Sequence, residues 1–152
     1  MEIVPLATEH AERVAALKGG CFGGEPSSVD IEAERRRGVT EAWVARDGER
    51  IVGFAFLQVV ADEAELHTIG VDRARRRRGV GRALLERAVE AVRARGAACL
   101  FLEVARDNAA AIALYEALGF AVERVRERYY DSGADALVMK LDLSGRPAAS
   151  LP

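Results

Sequence analysis

The chain has 152 residues, half of them hydrophobic and 30% charged. That length corresponds to one ordinary domain with a sizeable core, and the composition excludes a disordered polyelectrolyte. The 22 basic and 24 acidic side chains leave a formal net charge of −2, which argues against a globally basic nucleic-acid binder. Only 2 of the basic residues are lysines, whereas 20 are arginines, and the arginines are unevenly distributed.

Nothing in the sequence predicts membrane insertion or secretion. No apolar run approaches the roughly 20 residues of a membrane span, and residues 1–5 have neither a basic start nor a long apolar stretch. Cys21 and Cys99 are too few and too far apart for a disulfide framework or a CxxC metal site. We therefore expect a cytoplasmic protein with no metal centre and no membrane partner.

The N-terminal segment predicts a strand followed by a helix. Residues 2–6 form a short β-like run, and Thr8 is placed to cap a helix that continues to Lys18. Gly19-Gly20 is expected to end this helix. Cys21 would then lie in a glycine-rich loop, whereas Cys99 lies in an apolar run and is expected to be a small core residue.

A second helix and a meander of strands follow. The helix is predicted over 28–37, because Ser28 can cap its start and Gly38 can end it. Asp47-Gly48 is a strong hairpin signal, and Asp62-Glu63 predicts a further turn. The strands of this antiparallel meander are predicted around 43–45, 51–57 and 64–71.

From residue 73 onward, helices and strands alternate. Between Val80 and Arg95 apolar side chains recur at spacings of three and four, which indicates an amphipathic helix closed by Gly96. The remaining elements are a buried-type strand over 99–104, a helix over 108–118 that Asn108 can cap, and two strands around 121–130 and 135–142.

The order of these elements, β-α-α-β-β-β-α-β-α-β-β, predicts an α+β (mixed α/β) fold for a single domain over residues 1–142. We expect a twisted, mostly antiparallel sheet of about seven strands with one β-α-β crossover and about four helices. Residues 143–152 contain two prolines and two serines and are predicted to form a flexible C-terminal tail.

The most informative segment is 69–82, which holds six arginines immediately before a predicted helix. Cations at a helix N-terminus oppose the helix dipole, so this arrangement costs stability unless an anion binds there. Gly79 and Gly81 would leave backbone N–H groups open for a phosphate. The alternative is a solvated basic loop. A Walker loop is excluded because no Gly-Lys-Ser/Thr follows.

Two motifs resemble the GNAT acyltransferase superfamily. Arg76-x-x-Gly79-x-Gly81 is similar to its Arg/Gln-x-x-Gly-x-Gly/Ala motif, which cradles the pyrophosphate of acetyl-CoA. The run from Asn108 to Phe120 is similar to its N-x-x-A-x-x-x-Y-x-x-x-G-F block. Residues 52–142 resemble, more narrowly, the bacterial ribosomal-protein alanine N-acetyltransferases of the RimI type.

The resemblance implies acetyl-CoA as co-substrate and a set of residues that bind it. Strand backbone before the arginine-rich loop would hold the pantetheine arm and polarise the thioester carbonyl, and the loop would hold the pyrophosphate. The implied cofactor-binding residues are Ile69, Gly70, Val71, Arg76, Arg77, Arg78, Gly79, Val80, Gly81, Arg82 and Asn108.

Glu103 is the first candidate for acid–base chemistry. It is the only acid in an apolar strand, and alternation places it on the same face as Cys99 and Phe101. An isolated carboxylate there is costly unless it is satisfied, and desolvation would strengthen it as a base. The alternative is a carboxylate that reaches solvent or pairs with an arginine. The resemblance implies that Glu103 is the proton acceptor.

Tyr115 is the second candidate. It lies seven residues after Asn108, on the same helix face. A phenol with a reference pKa of about 10 is protonated at neutral pH and can donate to a departing thiolate. The alternative is core packing, since Ile112, Tyr115 and Leu118 also form an apolar stripe. The resemblance implies that Tyr115 is the general acid.

The acceptor is expected to be the α-amine of a protein N-terminus, and by resemblance the N-terminal alanine of a small-subunit ribosomal protein. A departure from the subfamily bears on this point, because the glycine-rich residues 18–30 lack an aromatic–proline cluster. The alternatives are a small-molecule amine, a lysine side chain, or a non-catalytic module that binds the ribosome or RNA through its arginines. His67 and Tyr130 are candidates to touch the acceptor, or ordinary strand residues.

Overall fold

A seven-stranded sheet organises the residues that the computed structural model describes, namely 1–22, 36 and 38–143. Its strands lie in the order β1-β2-β3-β4-β5-β7-β6. All neighbours pair antiparallel except β4 and β5, which are parallel. The strands are β1 (Glu2–Pro5), β2 (Glu41–Asp47), β3 (Arg50–Val60), β4 (Glu63–Val71), β5 (Cys99–Ala105), β6 (Ala121–Arg126) and β7 (Ala136–Asp142).

Three α-helices accompany the sheet in the described part of the chain. They are α1 (Ala11–Phe22), α2 (Val80–Ala94) and α3 (Ala109–Ala117). The mixed α/β fold, with a mostly antiparallel sheet and one β-α-β crossover, is confirmed. The helix predicted over 28–37 lies outside the described residues except for Arg36, and so does nearly all of the predicted tail.

The start and end of the first helix differ from the prediction. A 3-10 turn over Thr8–His10 precedes α1, and Ala7 rather than Thr8 is its N-cap, with the Ala7 N–H donating to His10 Nδ1 at 2.9 Å. The helix continues through Gly19-Gly20 to Phe22, so the backbone of Cys21 is helical. A glycine weakens a helix by about 1 kcal/mol relative to alanine, but it does not prevent helical backbone angles.

The helix α2 covers one face of the sheet, and α1 covers part of the other. The buried stripe on α2 contains the predicted Leu84, Ala88 and Val92, whereas Ala91 is only half-buried. Each fully buried leucine or valine contributes about 1.5–3 kcal/mol by leaving water. On the opposite face, Val14 of α1 packs with Phe54 and Phe56 of β3.

Gly53 of β3 is the point of closest approach between the sheet and α2. A Cβ atom at this position would lie 2.8 Å from Leu84 Cδ1 and 3.0 Å from Val80 Cγ1. Only glycine therefore allows the first turns of α2 to pack this closely on β3. Because Gly53 pairs with Val71 across the ladder, this contact also sets where β4 ends relative to α2.

The parallel strands β4 and β5 separate after a short stretch of pairing. Their register partners are Glu63 with Cys99, Ala64 with Leu100 and Glu65 with Phe101, and the described pairing ends there. A β-bulge at His67 shifts the register of β4 against β3 just beyond this point. The carboxyl halves of the two strands therefore diverge, and an opening forms between them.

The last hairpin is shorter than predicted on one side. The strand predicted over 121–130 ends at Arg126, because Arg128 adopts a positive φ of 50° that breaks the extended backbone. The N–H of Arg128 donates to Asp135 Oδ1 at 3.0 Å, which closes the connection to β7. Tyr129 and Tyr130 therefore belong to this connection and not to a strand.

Candidate active site

The opening between β4 and β5 exposes backbone groups along one edge of β4. In an antiparallel ladder the N–H and C=O groups of alternate residues point away from the partner strand. From Leu66 to Gly70 those groups face the opening, where β5 no longer pairs with β4 in the described part of the chain. Two of the predicted cofactor-binding residues, Ile69 and Gly70, lie on this segment, and a third, Val71, is the last residue of β4.

The arginine-rich loop leads directly from this strand into α2. Gly79 is the N-cap of α2 and adopts a left-handed φ of 82°. The first helical hydrogen bond runs from the Ala83 N–H to the Gly79 C=O at 3.0 Å. The N–H groups of Val80, Gly81 and Arg82 therefore precede the helical ladder and point out of the helix end, as an anion site requires.

The arginines of this loop have different partners. Arg75 binds Asp47 Oδ2 at 2.7 Å, and this contact lowers the pKa of Asp47. Arg76 donates through Nε to the Val71 carbonyl at 3.3 Å, and Arg82 lies 3.6 Å from Glu86 along α2. The side chains of the other two predicted residues, Arg77 and Arg78, are exposed and form no ion pair in the described part of the chain.

The third helix lies beside the start of α2. A Cβ atom on Gly81 would be 3.5 Å from Leu114 Cδ2 and 3.6 Å from Val71 Cγ2. The end of β4, the first turn of α2 and the middle of α3 therefore meet at one place. Asn108 caps α3 by accepting from the Ala111 N–H at 3.2 Å, as the sequence predicted.

Tyr115 is a buried residue of α3, with 6% of its surface exposed. Its ring packs on Phe120 at a centroid distance of 5.9 Å. Burial, and to a smaller extent the nearby Tyr130, raise the pKa of Tyr115 to about 12. The phenol therefore stays protonated at neutral pH, and its ring belongs to the core.

Glu103 matches the alternative stated for it, a carboxylate that reaches solvent and pairs with an arginine, and is not isolated and desolvated. Arg126 of β6 binds it, with Nη1 at 3.3 Å from Oε2 and 3.4 Å from Oε1. The Glu103 side chain is one-third exposed. Alternation places Glu103 on the same face as Cys99 and Phe101, as predicted, and exposure on that face increases along β5 from the buried Cys99 to the exposed Glu103.

A groove of about 400 Å³ runs beside Glu103. Four glutamates and one arginine surround its apolar floor, so its charge is predominantly negative. The lining residues are Glu63, Glu65, Phe101, Leu102, Glu103, Glu123, Arg124 and Val138. A larger cavity of about 640 Å³ lies between α1 and the β2–β3 hairpin and contains none of the predicted catalytic residues.

Tyr130 connects the two predicted catalytic side chains electrostatically. Burial raises the pKa of Tyr130, and the charges of Glu103 and Tyr129 raise it further. Tyr130 in turn affects the pKa of Tyr115, so these groups lie within range of one another. The other candidate, His67, is exposed at the β-bulge and has its Nε2 2.9 Å from Gln58 Oε1.

The sequence did not point to Arg126 or to the other three glutamates around the groove, Glu63, Glu65 and Glu123. Arg126 is one of several charged residues on β6, whose six residues are all exposed. No spacing rule connects it to Glu103, because the two residues lie 23 positions apart. The alternation of charges along β6 predicts which of its side chains share a face. Which of them contacts Glu103 follows only from the order of the strands.

Two further observations concern metals and membranes. Within residues 1–22, 36 and 38–143, no three His, Cys, Asp or Glu side chains are grouped so that they could hold a metal ion. In that same part of the chain, no helix is both long and apolar enough to cross a membrane.

Comparison with protein families gives one match that covers most of the chain. Residues 11–120 match the model of the acetyltransferase (GNAT) family. The N-alpha-acetyltransferase RimI of Mycobacterium tuberculosis is 46% identical over 152 aligned residues, which cover 94% of this chain and 92% of that protein.

The Escherichia coli relatives give a match in sequence and in structure. The ribosomal protein bS18-alanine N-acetyltransferase of strain K12 is 49% identical over 98 residues, or 62% of this chain. That alignment spans 66% of the length of the curated relative. The crystal structure of the ribosomal-protein-S18-alanine N-acetyltransferase from Escherichia coli superimposes with a TM-score of 0.84 at 35% identity, covering 96% of each chain.

Proposed function

Because the chain belongs to the acetyltransferase (GNAT) family, we propose that it transfers the acetyl group of acetyl-CoA directly to the α-amine at the N-terminus of a protein. The observation that carries this proposal is the opening between the parallel strands β4 and β5. On one side of it, β4 ends just before the loop that leads into α2, and on the other side Glu103 lies on β5 two residues beyond the last pair, Glu65 with Phe101. A thioester bound along this opening would be within reach of an amine that lies in the groove beside Glu103.

The residues around the opening fit acetyl-CoA. Its pyrophosphate would lie on the N–H groups of Val80, Gly81 and Arg82, with the exposed Arg77 and Arg78 as counter-ions. Its pantetheine arm would pair with the backbone of Ile69, Gly70 and Val71 as an added strand would. Arg76 and Asn108 would support the ends of this site. When bound, acetyl-CoA supplies an activated acetyl group, and no metal is required for that chemistry.

Glu103 and Tyr115 would move the protons. A protein α-amine has a pKa of about 7.7–8.0, against about 10.4 for a lysine side chain, so a modest base suffices to free it. Glu103 borders the groove and would accept this proton directly or through a water molecule. Tyr115, whose phenol is protonated at neutral pH and whose pKa burial raises further, would donate its proton to the sulfur of the leaving thiolate.

For the acceptor we propose the N-terminal alanine of a small-subunit ribosomal protein. The similarity to enzymes named for ribosomal protein bS18 and for N-alpha-acetylation supports this choice. The negatively charged groove is consistent with a positively charged α-amine. Acetyl-CoA and ribosomal proteins are both cytoplasmic, and we propose that location for the reaction.

A mass-spectrometric screen tests the proposal. Acetyl-CoA and the protein are incubated with peptides that begin with alanine, peptides with a blocked N-terminus and an internal lysine, and small amines. Acetylation of the alanine N-terminus alone is expected. If only lysines or small amines are modified, the proposed acceptor is wrong. If acetyl-CoA is bound but nothing is modified, the transferase assignment of this chain is wrong.

Two variants test the proton transfers. Glu103→Gln and Tyr115→Phe should each lower kcat by about 100-fold or more, the usual range for general acid–base groups. Acetyl-CoA should still raise the melting temperature of both variants, because neither residue lies in the proposed cradle. Full activity in a folded variant would refute the role of the residue concerned.

A further inference from the structure

The guanidinium of Arg126 contacts the carboxylate of Glu103, which the proposed reaction needs as its base. Its Nη1 lies 3.3 Å and 3.4 Å from the two oxygens of Glu103. The guanidinium also lies over the ring of Tyr129, with 4.0 Å between its central carbon and the ring centroid. Both contacts are at the surface: the side chains of Arg126 and Glu103 are 42% and 33% exposed. Such an arrangement is a weak and readily exchanged ion pair.

The guanidinium of Arg126 contacts both oxygens of Glu103, the same atoms that an incoming ammonium group would have to reach. The contact with Arg126 must therefore loosen before Glu103 can accept a proton from that group. The acceptor itself can loosen this contact, because its α-amine is largely protonated near neutral pH and can take the place of the guanidinium. An ammonium group that replaces the guanidinium preserves the charge balance at Glu103 and brings the proton to be removed into contact with the base.

We propose that Arg126 is a positioning residue that holds the Glu103 carboxylate in the free protein and is displaced from it by the ammonium group of the acceptor. This inference rests on the proposed function. The ring of Tyr129 offers the displaced guanidinium a surface that it already contacts, so release from Glu103 does not require release from the β6–β7 connection.

Strand register provides a matched control. Glu103 pairs with Val138 of β7, and Val138 pairs on its other side with Arg124 of β6. Arg124 therefore lies directly across β7 from Glu103 and lines the same groove. It nevertheless forms no ion pair with any residue in the described part of the chain. Removing Arg124 changes the charge of the groove without removing the contact on Glu103.

Steady-state kinetics at saturating acetyl-CoA test the inference. Arg126→Met keeps much of the apolar stem and removes the competing cation, so KM for the acceptor should fall about two- to five-fold, the range of an exposed ion pair. We expect kcat to stay within about two-fold. Arg126→Lys restores a cation and should return KM towards the wild-type value. Arg124→Met should lower KM less than Arg126→Met does.

Three results would overturn the inference. An unchanged or higher KM in Arg126→Met would mean that no competition exists. An equal fall in Arg124→Met would show that only the overall charge of the groove matters. A loss of kcat of ten-fold or more in a folded Arg126→Met protein would show that Arg126 is needed on Glu103 during the reaction.

A second measurement separates this inference from the proposed function because it needs no turnover. The ¹³Cδ resonance of Glu103 is assigned by its loss in Glu103→Gln, and alaninamide is titrated into the CoA-bound protein. The wild type should need about two- to five-fold more alaninamide than Arg126→Met for half of the shift. Equal titration midpoints for the two proteins, or no shift of the Glu103 resonance in either, would refute the displacement of Arg126 by the ammonium group. Absence of peptide acetylation with unequal midpoints would refute only the proposed acceptor.

Discussion

Replacing Gly53 by alanine would insert one methyl group at the closest contact between the sheet and α2. The new Cβ would lie 2.8 Å from Leu84 Cδ1, 3.0 Å from Val80 Cγ1 and 3.1 Å from the Gly70 carbonyl oxygen. Both side chains are buried, with exposed fractions of 0% for Leu84 and 4% for Val80. In a close-packed core such side chains have few alternative positions, so these side chains, or α2 with them, must shift away from β3.

Overpacking of this kind costs about 1–3 kcal/mol of unfolding free energy. For a domain of this size, 1 kcal/mol corresponds to about 2–4 °C in melting temperature, so we expect a fall of about 2–12 °C. The shift should also weaken acetyl-CoA binding, because Val80 begins the cradle and Gly53 pairs with Val71 at the end of β4.

Thermal unfolding with and without acetyl-CoA measures both effects. Gly81→Ala is the control for stability, since a Cβ there meets its neighbours at ordinary distances of 3.5 and 3.6 Å. Its melting temperature in the absence of ligand should be unchanged or slightly higher. An unchanged melting temperature in Gly53→Ala would refute the reasoning, because it would mean that α2 packs less closely on β3 than described.

Three further predictions concern the cradle and the buried tyrosine. Gly79→Ala should lower the unfolding free energy by about 1 kcal/mol in urea denaturation, because φ is 82° at that residue and alanine is strained there. Arg78→Ala should weaken acetyl-CoA binding about ten-fold or more in calorimetry, because one charge-assisted contact is lost. Arg75→Ala should not weaken binding, because Arg75 is paired with Asp47. Equal losses in the two variants would contradict the assignment of Arg78 to the pyrophosphate. Folding raises the pKa of Tyr115 from 10.0 to about 12. Its contribution to stability, about 3 kcal/mol at most, is therefore complete below pH 10 and is lost as the pH rises through 12. The difference in unfolding free energy between the wild type and Tyr115→Phe should shrink by about 2 kcal/mol between pH 9 and pH 12, where the folded phenol is half ionised. A constant difference would contradict the burial argument.

The local elements of the site followed from short-range patterns. The apolar spacing from Val80 to Arg95 predicted α2 to within one residue at its C-terminal end. Asn108 was recognised as a cap because its side chain needs only the N–H three residues further on. Gly79 was identified from its position before α2, where a left-handed residue begins the helix. Each of these signals depends on neighbours within one or two helical turns.

The environment of Glu103 was decided by tertiary structure. The apolar strand around it suggested desolvation, but Glu103 is the exposed residue of β5, and Arg126 reaches its carboxylate across β7. The direction in which a side chain points follows from alternation, whereas what it meets depends on which strand lies alongside. Strand order places β7 between β5 and β6, and no local pattern records that order.

By itself, then, the sequence determined the order of the elements, the arginine-rich loop at the start of α2 and the family to which these motifs are similar. Tertiary structure alone decided that the pairing of β4 with β5 ends at Glu65 and Phe101, and that Arg126 contacts Glu103. The physical reason is the range of the forces involved. Caps, turns and amphipathic periodicity act over a few residues, whereas strand register and ion pairs join residues that are close only after the chain has folded.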